Sequence, residues 1–232
     1  MLDVIYPLHN RLYYTQFSFP RVLDECMKSE SFNKLYIYDD NSTDGSSEFV
    51  TDLLKRNEVP HEYSKTKIGN SIHCINHTVN RSKQPYLFKV DNDILIPSCF
   101  DRMVRIMEMP ENKRMGFMMM EEKREWPFFN ELVTWQEREH IGGVGIMRKK
   151  VIDDIQNGNY IIPQKRYWGF TKLQQTASKH GWKAAHIVGA GMMILDRSES
   201  YSRTREYEEK GWGRRIEKND YSIFEPYVGE TE

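Results

Sequence analysis

The sequence predicts an α/β protein in which a mostly parallel central sheet is flanked by helices within a single domain. Short apolar runs alternate with segments of helical spacing through the first two-thirds of the chain. Polar clusters follow directly after several of those apolar runs. The 232 residues are enough for one large domain with a sizeable core.

The apolar runs of the first half predict four strands, over residues 3–7, 34–38, 59–63 and 86–90. The segments between and after them predict four helices, over residues 13–28, 44–57, 68–80 and 99–109. Ser42, Thr43 or Asp44 can cap the second helix. Ligands of parallel sheets bind beyond the carboxyl ends of the strands, so polar residues directly after a strand are the most informative ones.

The second half is less regular. Strands are predicted over residues 114–121 and 183–188, a strand or turn over 140–148, and a helix over 171–180 that ends at Gly181. Methionines in the first of these strands are expected to fill the core. From residue 196 the chain is highly charged, which predicts a domain over 1–195 and a C-terminal segment over 196–232, either a tail or a lid.

Composition narrows the class of protein. Hydrophobic residues make up 39% and charged residues 29%, as in folded globular proteins, and a net charge of -1 provides no global basic field for nucleic acid. No run approaches the roughly 20 apolar residues that cross a bilayer. Three widely spaced cysteines fit neither a disulfide framework nor a zinc pattern. We therefore expect free thiols and a cytoplasmic protein.

Three polar clusters follow predicted strands, and the last of them is Asp91-Asn92-Asp93. Two carboxylates separated by one residue offer hard oxygen ligands that suit Mg²⁺ or Mn²⁺ bridging a diphosphate. A divalent ion offsets the charge that develops on a departing nucleoside diphosphate. A capped helix start is the structural alternative for this triplet.

The other two clusters are YPLHNR after the first strand and YDDNSTDG after the second. Paired acids such as Asp39 and Asp40 can accept hydrogen bonds from a nucleobase N–H and from ribose hydroxyls. A polar turn between a strand and a helix is the alternative explanation for the same residues.

The order and spacing of four motifs resemble the nucleotide-binding half of the family 2 glycosyltransferases, which have the type A fold. The motifs are YPLHNR, YDDNSTDGS, KIGNSIHCINHTVN and YLFKVDNDILIP. The resemblance is clear over residues 3–108 and thin after them. It implies a nucleotide-binding half over 1–108, an acceptor half over 109–195, a nucleotide-sugar donor and a divalent ion.

The resemblance also implies a role for each matching residue. Asp40 would hydrogen-bond the base, which is typically uracil in this family, so that the donor would be a UDP-sugar. Asp93 would ligate the metal, and Asp91 would face the ribose or the metal shell. The remaining nucleotide-binding positions would be Pro7, His9, Asn10, Lys67, Gly69 and Asn70.

The second half departs from the family pattern. The family has an acidic pair at the start of the helix that ends in Gly-Tyr or Gly-Trp, but this chain has Gly169 and Phe170 there. Either another carboxylate deprotonates the acceptor hydroxyl, or the enzyme retains the anomeric configuration without such a base. A histidine near His186 completes the metal shell in several relatives, which implies that His186 is a metal ligand. The candidate bases are Glu121, Glu137 and Glu139.

These observations predict a metal-dependent glycosyltransferase that moves a sugar from a nucleotide sugar to an acceptor hydroxyl. A cell-surface glycan or a lipid-linked precursor is the expected acceptor. A modified DNA base, as used by some bacteriophage transferases, is an alternative, and so is an inactive nucleotide- or sugar-binding module. A nucleotidyltransferase is disfavoured because LHNRLYYTQ after the first strand contains no glycine for a phosphate loop.

Overall fold

The computed structural model describes residues 1–65, 71–123, 126–156, 169–195 and 225–226. Its strands are β1 Leu2–Leu8, β2 Phe32–Asp39, β3 His61–Lys65, β4 Tyr86–Lys89, β5 Ile94–Leu95, β6 Met115–Lys123, β7 Phe128–Arg138, β8 Gly145–Arg148, β9 Lys183–Ile194 and β10 Glu225–Pro226. Its α-helices are α1 Leu12–Lys28, α2 Ser46–Arg56, α3 Ser71–Arg81, α4 Phe100–Glu108, α5 Lys150–Gln156 and α6 Gly169–Lys179.

The strands form one sheet in the order β10-β3-β2-β1-β4-β8-β6-β9-β5, and β7 also pairs with β9. The strands β3, β2, β1 and β4 are parallel, as predicted, and β6 is parallel to β9. The remaining pairings are antiparallel. The predicted α/β fold is confirmed, with the parallel pairing concentrated in the first half.

The strand β7 is missing from the sequence prediction. Most of its residues are exposed or half-buried, and Leu132 is 91% exposed, so it lacks the buried apolar run by which a strand is recognised. Pairing with β9 holds it in the sheet. The strand β9 is also longer than the predicted 183–188, because it continues to Ile194 past a bulge near Gly189, whose φ is 92°. The sequence also did not predict β5, β10 and α5.

The core lies between the sheet and its helices. The methionines of β6 are part of it, as predicted, with Met118 and Met120 fully buried. All three cysteines are buried and free.

The N-cap residue of α2 is Gly45. The predicted cap Asp44 stabilises the start of the helix by accepting hydrogen bonds from the backbone N–H groups of Ser46 and Leu12. No helix in the described ranges combines the length and the apolar character that crossing a membrane requires.

The helix α3 packs against β2 through a buried polar contact. A hydrogen bond of 2.8 Å joins the Tyr38 hydroxyl to Nδ1 of His77, and another of 2.7 Å joins it to the Thr78 hydroxyl. Burial, together with the positive charge of Arg81, lowers the pKa of His77 from 6.5 to about 4. The folded protein therefore holds this imidazole in its neutral form at neutral pH.

This shift predicts a pH dependence of stability. Below pH 6.5 the unfolded chain binds a proton at His77 that the folded chain does not bind until about pH 4, so the free energy of unfolding falls as the pH drops through that window. The variant His77→Gln should show a smaller fall between pH 7 and pH 4.5 in urea titrations. His61→Gln, on the surface of β3, is the matched control and should keep the wild-type slope. Equal slopes for all three proteins would contradict the prediction.

Candidate active site

The three polar clusters predicted from the sequence lie at one edge of the sheet. The strands β1, β2 and β4 are parallel neighbours, and the register pairs Leu8 with Asp39 and Ile5 with Lys89. Residues 9–11, 40–45 and 91–93 directly follow the ends of these strands. The half-buried Pro7 lies near the end of β1, opposite Tyr38.

The loop after β1 is bonded to the loop after β2. Nδ1 of His9 lies 2.7 Å from the Asp40 carbonyl oxygen, which accepts its hydrogen bond. The backbone N–H of Asn10 donates to the Ser42 hydroxyl at 2.9 Å, and Oδ1 of Asn10 accepts from the backbone N–H of Thr43 at 2.8 Å. These bonds bring the predicted residues His9, Asn10 and Asp40 into one group.

Asn92 connects the third loop to the same group. Its side-chain amide donates to the Asn10 carbonyl at 2.9 Å and to the Thr15 hydroxyl at 3.3 Å, and its own carbonyl accepts from the Ser18 hydroxyl at 2.7 Å. Asn10 and Arg11 have φ values of 49° and 65°, in the left-handed region that residues other than glycine rarely adopt. The bonds from Asn92 and the β2 loop hold this strained backbone at the site.

The two neighbouring acids after β2 have different roles. The Asp39 carboxylate is fully buried and accepts hydrogen bonds from the Ser42 backbone N–H at 2.8 Å, from the Tyr63 hydroxyl at 2.6 Å and from the Ser47 hydroxyl. Burial and this carboxylate raise the pKa of Tyr63. Asp40 is 19% exposed in its side chain and lies beside His9, 3.8 Å from Nδ1 to the carboxylate. Asp39 therefore supports the loop, whereas Asp40 is the more exposed of the two acids.

Each aspartate of the predicted metal motif holds a side-chain cation. Nη1 of Arg11 donates to Oδ2 of Asp93 at 2.7 Å, and Nζ of Lys89 donates to Oδ1 of Asp91 at 2.5 Å. Asp93 is nearly buried, whereas Asp91 is 36% exposed in its side chain. The motif is also fixed through its backbone, because the Leu195 N–H donates to the Asp93 carbonyl at 2.8 Å.

The chemistry of these two side chains fits Mg²⁺ or Mn²⁺. In the described ranges no group of three or more histidine, cysteine or acidic side chains is arranged to hold a metal. Mg²⁺ commonly takes only one or two carboxylates from a protein and completes its shell with substrate phosphates and water. Asp91 and Asp93 would supply this number of carboxylates.

The structure does not bring His186 to these aspartates. It lies opposite Met119 of β6, whereas Leu195, at the far end of β9, contacts Asp93. From Met119 to Lys123 along β6, and then from Met193 to Leu195 at the end of β9, the path covers about six residues. His186 and Leu195 are therefore about 20 Å apart along the strand direction. Burial lowers the pKa of His186, and the charged groups that also shift it are Arg138 and Glu121. We therefore leave His186 out of the proposed metal site.

The three predicted bases lie at different distances from the site. Glu137 forms an ion pair with Lys183 at the start of β9, and Glu139 follows the end of β7 on the surface. This places both of them at the end of β9 away from Asp93. Glu121 is opposite Gly191, four residues before Leu195, and pairs with Lys123 at 2.7 Å. Glu121 is thus the nearest of the three along the sheet.

Three residues at or beside the site have no role in the sequence prediction: Arg11, Lys89 and Glu122. A lysine within the otherwise apolar YLFKV is a usable signal, because a buried ammonium needs an anionic partner. A Cβ atom added to Gly142 would lie 3.6 Å from Oε1 of Glu122. A Cβ atom added to Gly143 would lie 3.8 Å from Nζ of Lys89. The glycine loop, residues 142–143 of the segment predicted as a strand or turn, therefore runs between Glu122 and Lys89.

Several predicted features fall outside the described residues. Lys67, Gly69 and Asn70 are among them, as is most of the 196–232 segment. The part of that segment that is described, β10, pairs antiparallel with Ser64 and Lys65 at the end of β3. The helix α6 begins at Gly169, and its first turn contains no acidic residue, so the acidic pair of the family is absent from this helix.

No protein-family model matches the chain, and no curated protein matches its sequence. Solved structures do match its fold. S. aureus TarS has a TM-score of 0.58 at 15% identity, covering 85% of this chain and 35% of TarS. TarS 1-349 in complex with UDP-GlcNAc has a TM-score of 0.59 at 14% identity, covering 85% of this chain and 56% of that one.

The mannosyltransferase PcManGT from Pyrobaculum calidifontis, in complex with GDP-Man and Mn²⁺, has a TM-score of 0.64 at 12% identity, covering 86% of this chain and 58% of PcManGT. The chain thus spans between 35% and 58% of the length of these structures. The predicted resemblance to type A glycosyltransferases is confirmed at the level of the fold.

The contrast between the two acids after β2 is testable. Asp39→Ala should lower the free energy of unfolding by about 3 kcal/mol, because it leaves a backbone N–H and two buried hydroxyls without their acceptor. Asp40→Ala, the adjacent control, should stay within about 0.5 kcal/mol of the wild type and instead weaken UDP binding. Urea unfolding and calorimetry measure the two effects. Equal destabilisation by both substitutions would contradict the assignment.

Proposed function

We propose that the protein is a glycosyltransferase that takes a sugar from a nucleotide sugar, most simply a UDP-sugar, with a divalent ion held by Asp91 and Asp93. The observation that carries the proposal is the convergence of residues 9–11, 40–45 and 91–93 at one sheet edge, bonded to one another through Asn10 and Asn92. The shared fold supports it, since two of the similar structures hold UDP-GlcNAc and GDP-Man.

The nucleoside would lie along the ends of β1 and β2. Pro7, His9 and Asn10 would border the base and ribose, and the Asp40 carboxylate would accept a hydrogen bond from a base N–H. The hydrogen bond between His9 and the Asp40 backbone fixes the loop that carries this carboxylate. By the resemblance, Lys67, Gly69 and Asn70 would lie beside the nucleotide.

Asp91 and Asp93 would hold Mg²⁺ or Mn²⁺ together with the diphosphate. When bound, such an ion stabilises the negative charge that develops on the departing nucleoside diphosphate. The protein would position the two carboxylates, because the buried Asn92 fixes the backbone between Asp91 and Asp93. A misplacement of a catalytic group by about 1 Å can cost about a hundredfold in rate.

The acceptor would enter from the half formed by residues 109–195, and its hydroxyl belongs to a cell-surface glycan or a lipid-linked precursor. Glu121 and Glu122, at the end of β6, are the carboxylates we assign to deprotonating it. Glu122 lies against the glycine loop, and Glu121 is the nearest predicted base along the sheet.

The buried free thiols support a cytoplasmic location.

A second candidate function is an inactive nucleotide-sugar-binding module. The observation that favours it is the first turn of α6, which contains no acid where the family places its base. Release of UDP from UDP-sugars in the presence of Mn²⁺ separates the two functions. Tight UDP binding without any release of UDP would support the inactive module.

The variant Asp93→Asn tests the proposed function. It removes a negative metal ligand while keeping nearly the same shape, so donor hydrolysis with Mn²⁺ should fall by about a hundredfold or more, while thermal unfolding stays close to the wild type. Asp24→Asn, which disrupts an exposed ion pair with Lys28 on α1, is the matched control and should keep full activity. Full activity of Asp93→Asn would refute the metal site.

A further inference from the structure

The proposed function leaves unexplained why both metal-binding acids already carry a cation. Arg11 bonds Asp93 at 2.7 Å, and Lys89 bonds Asp91 at 2.5 Å. Together the four side chains sum to no net charge. A divalent ion must therefore compete with side chains of the protein itself for these carboxylates.

The two cations differ in how freely they can move. Lys89 is the last residue of β4, and its side chain is 7% exposed, so leaving its buried ammonium without Asp91 would be strongly unfavourable. Arg11 is the N-cap residue of α1, and its side chain is 21% exposed. Arg11 is thus the more exposed of the two cations, and exchanging its partner costs less than exchanging that of Lys89.

We propose that the Arg11 guanidinium occupies the metal position on Asp93 in the metal-free protein, and that binding of the divalent ion releases it to the diphosphate of the donor. This inference rests on the proposed function, in which Asp93 is a metal ligand. A guanidinium matches phosphate oxygens with two parallel hydrogen bonds, so the released group finds a partner at the same edge of the sheet.

Charge balance couples the binding of the metal to the binding of the nucleotide. Binding of the ion alone leaves the cluster with two excess positive charges, which weakens metal binding. The diphosphate of a nucleotide sugar carries one negative charge per phosphate and restores neutrality. Metal and nucleotide should therefore bind together more favourably than either binds alone, with Arg11 coupling the two.

Titration of Mn²⁺ and UDP into the purified protein tests the coupling. Without nucleotide, Arg11→Gln should bind Mn²⁺ about fivefold more tightly than the wild type, because the competing cation is gone. In saturating Mn²⁺ it should bind UDP about fivefold more weakly, because a phosphate ligand is lost. Arg11→Lys, which keeps the charge, should bind Mn²⁺ as the wild type does. Electron paramagnetic resonance reports free Mn²⁺, and calorimetry reports UDP.

Arg81→Gln is the matched control, since Arg81 forms an ion pair of 2.8 Å with Glu62 at the far end of β3, and it should leave both affinities unchanged. Wild-type affinity of Arg11→Gln for either Mn²⁺ or UDP would overturn the inference. The proposed function would still stand if Asp93→Asn lost Mn²⁺ binding in the same titration. Unchanged Mn²⁺ binding by Asp93→Asn would refute the metal site itself, and the inference with it.

Discussion

The buried amide of Asn92 is the contact on which the rest of the site depends. It ties the loop after β4 to the loop after β1 and to α1, while hydrogen bonds from Asn10 join that loop to the one after β2. Three segments far apart in the sequence are thereby held in one arrangement. Because a buried polar group is costly without partners, this network has few alternatives once the sheet has formed.

Charge is the second constraint. The sheet edge carries Asp40, Asp91 and Asp93 within one group of loops, and acids so close repel each other unless cations lie between them. Arg11 and Lys89 supply those cations to Asp93 and Asp91. The pairs of Arg11 with Asp93 and of Lys89 with Asp91 are each electrically neutral, and this neutrality is the basis of the proposed exchange of Arg11 for a divalent ion and a diphosphate.

Much of this arrangement follows from local sequence, and the rest depends on distant contacts. Apolar runs reveal β1, β2 and β4, and the polar residues after them reveal the site edge. The pairing of Arg11 with Asp93 joins loops 82 residues apart, so no local pattern reports it. The resemblance implies that His186 is a metal ligand, and local sequence predicts a last strand that ends at residue 188. The strand in fact continues to Ile194, and it is Leu195 that contacts Asp93.

Anomalous diffraction at the manganese edge, from crystals grown with Mn²⁺ and UDP, tests the proposed metal site and the release of Arg11 together. We expect one peak within about 2.2 Å of carboxylate oxygens of both Asp91 and Asp93, with the Arg11 guanidinium on the diphosphate. A peak elsewhere, or bound UDP with Arg11 still on Asp93 and no manganese beside it, would refute both proposals.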